Sequence, residues 1–172
     1  MIASKIKRYF IQKKIHKLVA DHQLESAESR NCKIKTVGLL TEQKISEDFN
    51  LRGIVTDFLS VDDLTICSFD RKNNKKDKKP ESFIEADLDW KAEIKDDYLK
   101  TFKDSQFDIL ICLYSNSETI VDYIAYSSKA KFKVGLASKR TQFFDLEIHL
   151  ETFEVNKYFT ELQKYLKILS KL

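Results

Sequence analysis

Apolar residues along this chain fall into two alternating patterns, short unbroken runs and helical stripes. The clearest unit is Phe107 to Ala137, FDILICLYSNSETIVDYIAYSSKAKFKVGLA. Phe107 to Leu113 is apolar apart from Asp108, the composition of a strand covered on both faces. Ser115 and Glu118 stand three apart in the polar turn that follows, the spacing of a capping box, so a helix is expected from about Asn116. Its stripe is Ile120, Val121, Ile124 and Ala125, with Glu118, Asp122 and Ser127 largely elsewhere. Lys129, Lys131 and Lys133 surround the helix end, and Phe132 to Leu136 gives the next strand. Strand, helix and strand at this spacing predict a parallel crossover.

The same pattern occurs earlier and later in the chain. Lys33 to Leu40, KIKTVGLL, reads as a core strand with Thr41 and Glu42 at its carboxyl end. Leu51, Ile54, Val55, Phe58 and Leu59 recur at helical spacing, and Leu64 to Phe69 reads as a strand after the Asp62 and Asp63 turn. Residues 81–97 are acidic, and Phe83, Ile84, Leu88 and Trp90 alternate loosely with the acids. This predicts an edge segment with Trp90 as a core anchor, then a helix that turns Ile94, Tyr98, Leu99 and Phe102 inward. Phe143 to Leu150 alternates like a half-wet edge strand. Val155, Phe159, Leu162, Leu166 and Leu169 form a closing amphipathic helix, which would also serve as a homodimer seam.

The expected fold is therefore a three-layer α/β arrangement, a mostly parallel Rossmann-like sheet with helices on both faces, plus an N-terminal basic helical arm. Residues 1–31 are assigned to the arm and 32–172 to a single α/β domain, with a mobile lysine-rich loop at 70–80. Ile2, Ile6, Tyr9 and Phe10 make one apolar patch on the arm. Ile11, Ile15, Leu18 and Val19 make another, rotated around the axis.

Charge sharpens this division. Lys5, Lys7, Arg8, Lys13, Lys14 and Lys17 all precede the first acid, Asp21. The formal net charge of +3 thus hides an opening segment before Asp21 of +6 and a remainder of −3. The arm is a candidate contact for an unknown protein partner or an anionic membrane surface. Nucleic acid is not an expected partner, because nothing here reads bases. No apolar run reaches the roughly 18 residues of a membrane helix, and Lys13, Lys14 and Lys17 interrupt any signal-peptide core. Cys32, Cys67 and Cys112 are widely spaced, and the last two lie in expected strands, which fits free thiols in a reducing cytosol.

Candidate chemistry is sparse. In an open parallel sheet, ligands bind beyond the carboxyl ends of the strands where strand order reverses. That crevice would be lined by Thr41, Glu42, Ser115, Asn116 and Ser117, with Lys139 and Arg140 nearby, and the helix start would offer amides to an anion. Gly38, Gly53 and Gly135 are isolated, so the chain has neither a P-loop nor a dinucleotide fingerprint. His16, His22 and His149 stand apart from one another, no nucleophile motif is present, and neither metal nor cofactor is expected.

Two resemblances add to this reading. The basic N-terminal helix, KIKTVGLL, the DLDW segment at Asp87 to Trp90, FDILICLY and SKAKFKVGL at Ser128 to Leu136 resemble a family of uncharacterised short α/β proteins from Bacteroidetes. FDILICLYSNSE with SSKAKFKVGLAS also resembles part of the N-terminal domain of ADP-heptose glycosyltransferases. Those enzymes have a serine- and glycine-containing loop where Thr41, Glu42, Gln43 and Lys44 stand here, and they bind the nucleotide sugar on a second domain. The resemblance implies the fold and carries over no catalytic residue. The expectation is a cytoplasmic, non-catalytic binding module, at most peripheral to the inner face of the membrane, acting through its basic helix. The alternative is a glycosyltransferase-like domain binding a nucleotide or sugar phosphate at the crevice near Asn116.

Overall fold

The computed structural model describes residues 2–22, 33–72, 74–114, 119–137 and 143–172. Among these, six strands form one sheet: β1 (Thr36–Glu42), β2 (Asp63–Phe69), β3 (Ser82–Phe83), β4 (Ile109–Leu113), β5 (Lys133–Leu136) and β6 (Leu146–Ile148). Their order is β3-β2-β1-β4-β5-β6, and every pairing is parallel. Strand order reverses between β1 and β4, the doubly wound arrangement.

The helices follow from that reversal. A right-handed crossover puts its helix on one face when the chain moves one way across the sheet and on the other when it moves back. On the first face lie α2 (Gln43–Asp48), α3 (Leu51–Leu59) and α6 (Val155–Ile168). There Val55, Leu59, Phe159 and Leu162 pack on Val37, Leu39, Ile66, Ile109, Ile111 and Val134. On the second face lie α4 (Asp97–Asp104) and α5 (Thr119–Ser127), with Leu99, Phe102, Val121 and Ile124 over Leu40, Cys67, Leu110 and Cys112. α1 (Ile2–His22) lies against α5 in this second layer. Ile11 is fully buried there, and Phe10, Ile15, Leu18 and Val19 pack around it.

Two glycines are required by close approach rather than by backbone angle. A Cβ on Gly38 would stand 2.5–3.0 Å from three ring atoms of Phe107, and one on Gly135 would meet the ring of Phe144. A Gly38→Ala variant is therefore expected to lose about 1–3 kcal/mol by overpacking, read from a urea melt.

The acidic segment differs from its expected form. Ile94 is not helical; it makes an isolated antiparallel bridge with Leu88, and the helix starts only at Asp97. The reason is Asp96, whose carboxylate accepts the Leu99 amide at 2.8 Å and so caps α4 two residues after Ile94. Asp87 likewise accepts the Ile84 amide, and the Asp89 carboxylate accepts the amides of Lys91 and Glu93. These acids organise backbone. Lys78 from the preceding basic loop bridges Asp87 and Asp96 at 2.7 and 2.6 Å, and Lys79 pairs with Glu47 at 2.8 Å.

Trp90, expected in the core, is 54% exposed. It sits on the tight turn that Asp89 closes, where Ala92 adopts a left-handed φ of 59° and takes the buried place instead. Leu169 also departs from the expected stripe. It lies one residue beyond α6 and is 45% exposed. Cys67 and Cys112 are buried free thiols, and burial pushes both well above the ordinary thiol pKa. Cys32 lies outside the described residues.

Candidate functional site

The switch point between β1 and β4 brings Thr41, Glu42 and Tyr114 to one edge of the sheet. Thr41 is fully buried, and its hydroxyl donates to the Leu113 carbonyl at 2.8 Å, tying β1 to β4. That hydroxyl is a cross-strand fastening. Glu42 is half-buried and pairs with Arg71 at 3.2 Å. Tyr114 is buried and donates to the Asp122 carboxylate at 3.0 Å; burial holds its phenol well above the usual pKa. Ser115, Asn116, Ser117, Lys139 and Arg140 lie outside the described residues, as does the expected helix start near Asn116.

The basic helix separates into two sets of cations. Lys7 and Lys14 lie on its inner side. Lys7 Nζ donates to the carbonyls of Glu85 and Leu88, both at 2.8 Å. Lys14 Nζ donates to the Ala92 carbonyl at 2.9 Å and stands 5.6 Å from the centre of the Tyr123 ring. Their aliphatic stems lie along the protein while the ammonium groups reach backbone oxygens. This explains why α1 lacks a clean apolar stripe: two positions on its inner side are lysines, and the carbonyls that receive them belong to residues about eighty positions away.

Lys5, Arg8, Lys13 and Lys17 form the second set, all exposed on the outward side of α1. Among the described residues none of the four makes an ion pair. Tyr9 and Ile6 share this side, 61% and 41% exposed. The surface continues onto the 89–93 turn. Tyr9 meets Phe10 edge to face at 5.8 Å, Phe10 meets Trp90 at 5.8 Å, and Lys91 Nζ lies 4.9 Å from the Trp90 ring centre. The result is two exposed aromatic rings, Tyr9 and Trp90, joined through the half-buried Phe10, with cations nearby.

Trp90 is the part of this surface that pattern reading missed. The available signal was Asp89 placed to accept the amides of the residues just after it, the habit of an Asx turn. Among the described residues, no group of three or more His, Cys, Asp or Glu side chains is placed to hold a metal ion. No helix there is long and apolar enough to cross a membrane.

Fold and surface together define a Rossmann-like α/β domain that carries an aromatic and cationic face on its first helix. Residues 7–169 match the model of a family of unknown function, DUF6913, and the chain belongs to that family. No curated protein and no solved structure matches it.

Proposed function

We propose that this protein is a non-catalytic binding module whose outward face of α1, with Trp90, attaches reversibly to an anionic membrane surface. The observation that supports this reading is the exposure of Tyr9, Lys5, Arg8, Lys13 and Lys17 on α1 together with that of Trp90, which Phe10 joins to the helix. Tryptophan and tyrosine favour the boundary between headgroups and acyl chains, and basic residues are drawn to the anionic lipid beside it. Each Lys or Arg held near such a surface contributes about 1 kcal/mol. Four contribute about 4 kcal/mol, which alone corresponds to millimolar attachment, and the aromatic rings add to it. Binding of this strength is reversible and depends on salt. It suits a protein at the inner face of a cytoplasmic membrane, where anionic lipid is presented.

Trp90 is the sole tryptophan in the chain, so its emission reports directly on this surface. Titration with vesicles containing phosphatidylserine is expected to shift the emission to the blue at low salt, with reversal at high salt. Neutral phosphatidylcholine vesicles should leave it unchanged. Replacing Lys5, Arg8, Lys13 and Lys17 together by Gln should weaken partitioning by several hundredfold or more, by the same arithmetic. An emission spectrum indifferent to anionic vesicles would overturn the membrane reading and turn attention to an acidic protein partner.

A further inference from the structure

A second place on the molecule is shaped to take a ligand, and it does not involve α1. β1 and β2 are neighbours and end together at Glu42 and Phe69. Beyond them, α2 on one side and the loop from Asp70 to Lys79 on the other enclose a cleft of about 630 Å³. Small-molecule sites commonly measure about 300–1,000 Å³, and this cleft lies on the carboxyl edge of the sheet, beside the β1/β4 switch point where open parallel sheets usually bind ligands.

The lining is amphoteric in an ordered way. Phe69 contributes an apolar surface next to the sheet, while Lys44, Arg71, Lys72 and Lys79 bring cations from two separate segments. Lys44 and Lys72 are exposed and make no ion pair among the described residues. Arg71 is held against Glu42, and Lys79 against Glu47 with both side chains about half exposed. The exposed Lys79–Glu47 pair is worth about 0–1 kcal/mol, so a phosphate oxygen could replace that carboxylate at small cost, whereas the Glu42 side chain is only 12% exposed and keeps Arg71. Asp70 follows directly on β2 and is half-buried at the same cleft. One Asp70 oxygen already accepts the Lys72 amide at 2.9 Å; a carboxylate accepts hydrogen bonds and does not donate them, so the natural counterpart of the other oxygen is a hydroxyl. Glu42, Glu47 and Asp77 also line the cleft, the first two paired with Arg71 and Lys79, and the exposed Lys44 and Lys72 with the strand-end carboxylate of Asp70 are complementary to one molecule carrying both phosphate and hydroxyl groups.

We infer that this cleft binds a phosphorylated polyol, with Lys44, Lys72 and Lys79 on the phosphate and Asp70 on the sugar hydroxyls. Nucleotides and simple sugar phosphates share that chemistry. The absence of a glycine-rich turn after β1 is no obstacle, because side chains rather than backbone amides supply the positive charge here.

The test is isothermal titration of the full chain at fixed low salt with inorganic phosphate, ribose 5-phosphate, ADP and unphosphorylated ribose. Saturable binding of ribose 5-phosphate and ADP is expected, tighter than inorganic phosphate, with no binding of ribose. The Lys44→Ala, Lys72→Ala double variant should weaken both phosphorylated sugars by about tenfold or more, the loss expected when charged partners of a phosphate are removed. Both lysines are exposed, so its melting temperature should match the parent's. Asp70→Asn should weaken the sugar phosphates and leave inorganic phosphate unchanged. The control Lys95→Ala, Lys100→Ala, at two exposed lysines that belong to neither surface, should leave all affinities unchanged. A clear preference for ADP would identify a nucleotide as the source, and equal affinities a sugar phosphate. Absence of saturable binding, affinities untouched by the double variant, or inorganic phosphate bound as tightly as ribose 5-phosphate would overturn the inference.

Discussion

An Ile11→Ala variant is expected to lose about 2–4 kcal/mol of stability, the cost of deleting three buried carbons and leaving the space they filled. For a domain of this length that corresponds to a melting point lower by about 5–15 °C. Ile11 has 0% exposure and packs in the layer formed with α5, so its loss is felt by the second face of the sheet and not by α1 alone. A Lys13→Ala change two residues away on the outward side should stay within about 0.5 kcal/mol of the parent. Urea melts of the two variants check this directly. A penalty under about 1 kcal/mol for Ile11→Ala would mean that α1 detaches from the cooperative unit. The comparison also protects the functional experiments. Outward changes on α1 then test binding, and inward changes test folding.

Asp108 is expected to dominate the acid sensitivity of the fold. It stands just before β4, 8% exposed, and one carboxylate oxygen accepts the amides of Lys35 and Thr36 at 3.0 and 3.1 Å and the Thr36 hydroxyl at 3.2 Å. The other oxygen receives the Lys131 ammonium at 2.8 Å. One side chain thus fastens the amino ends of β1 and β4 and the approach to β5. Burial works to raise its pKa, but the Lys131 ammonium and the two amides outweigh it and hold the carboxyl at about 2. Because the folded value lies below the unfolded one, this stability is fully present above about pH 4 and is lost as pH falls toward 2. At about 1.4 kcal/mol per unit, the linked contribution is on the order of 2 kcal/mol.

Asp108→Ala also leaves two backbone amides without their acceptor, so its total cost at neutral pH is expected to reach about 3–4 kcal/mol. Asp108→Asn keeps the shape and removes the charge. Urea melts from pH 6 to pH 2 should show the parent losing stability steeply below pH 4 and the Asn variant losing less. Equal slopes would mean that other carboxylates carry the acid response. Asp104 is the first to consider, its pKa lowered by hydrogen bonds from Lys103 and Lys129.

The two proposed ligand surfaces sit on different parts of the fold and make separable demands. The outward face of α1 is set by a helix docked on α5, and the cleft by two strand ends with the loop from Asp70 to Lys79. Lys78 links the second to the rest of the domain: it is held between Asp87 and Asp96, so the basic loop is tied to the acidic segment that also carries Trp90. Hydrogen bonding to both carboxylates holds the Lys78 ammonium above its usual pKa despite the opposing effect of burial.

The sheet and its helices were legible from the chain alone because burial on one or two faces imposes a local period. Leu39, Ile111 and Val134 announce buried strands, and Val55 with Leu59, or Phe159 with Leu162, announce helices that cover them. Even the parallel direction followed, since strand, helix and strand at that spacing leaves no room for a hairpin. The candidate surfaces were only partly legible. The cationic character of α1 could be read, yet its division into inner Lys7 and Lys14 and outer Lys5, Arg8, Lys13 and Lys17 could not. That division depends on carbonyls 78 and 81 residues away, brought beside the helix by a crossover. Trp90 misled because the loose alternation around it is what an edge strand would show, while its exposure is decided by an Asp89 turn and by Phe10 arriving from another element. The cleft beside Asp70 was invisible for a similar reason. Composition marked its loop only as lysine-rich and mobile, and the enclosed volume exists because β1 and β2 end at the same level with α2 facing that loop. Local periodicity determined which segments are buried; which side chains meet, and which remain open to a ligand, was decided by the sheet order that brings distant segments together.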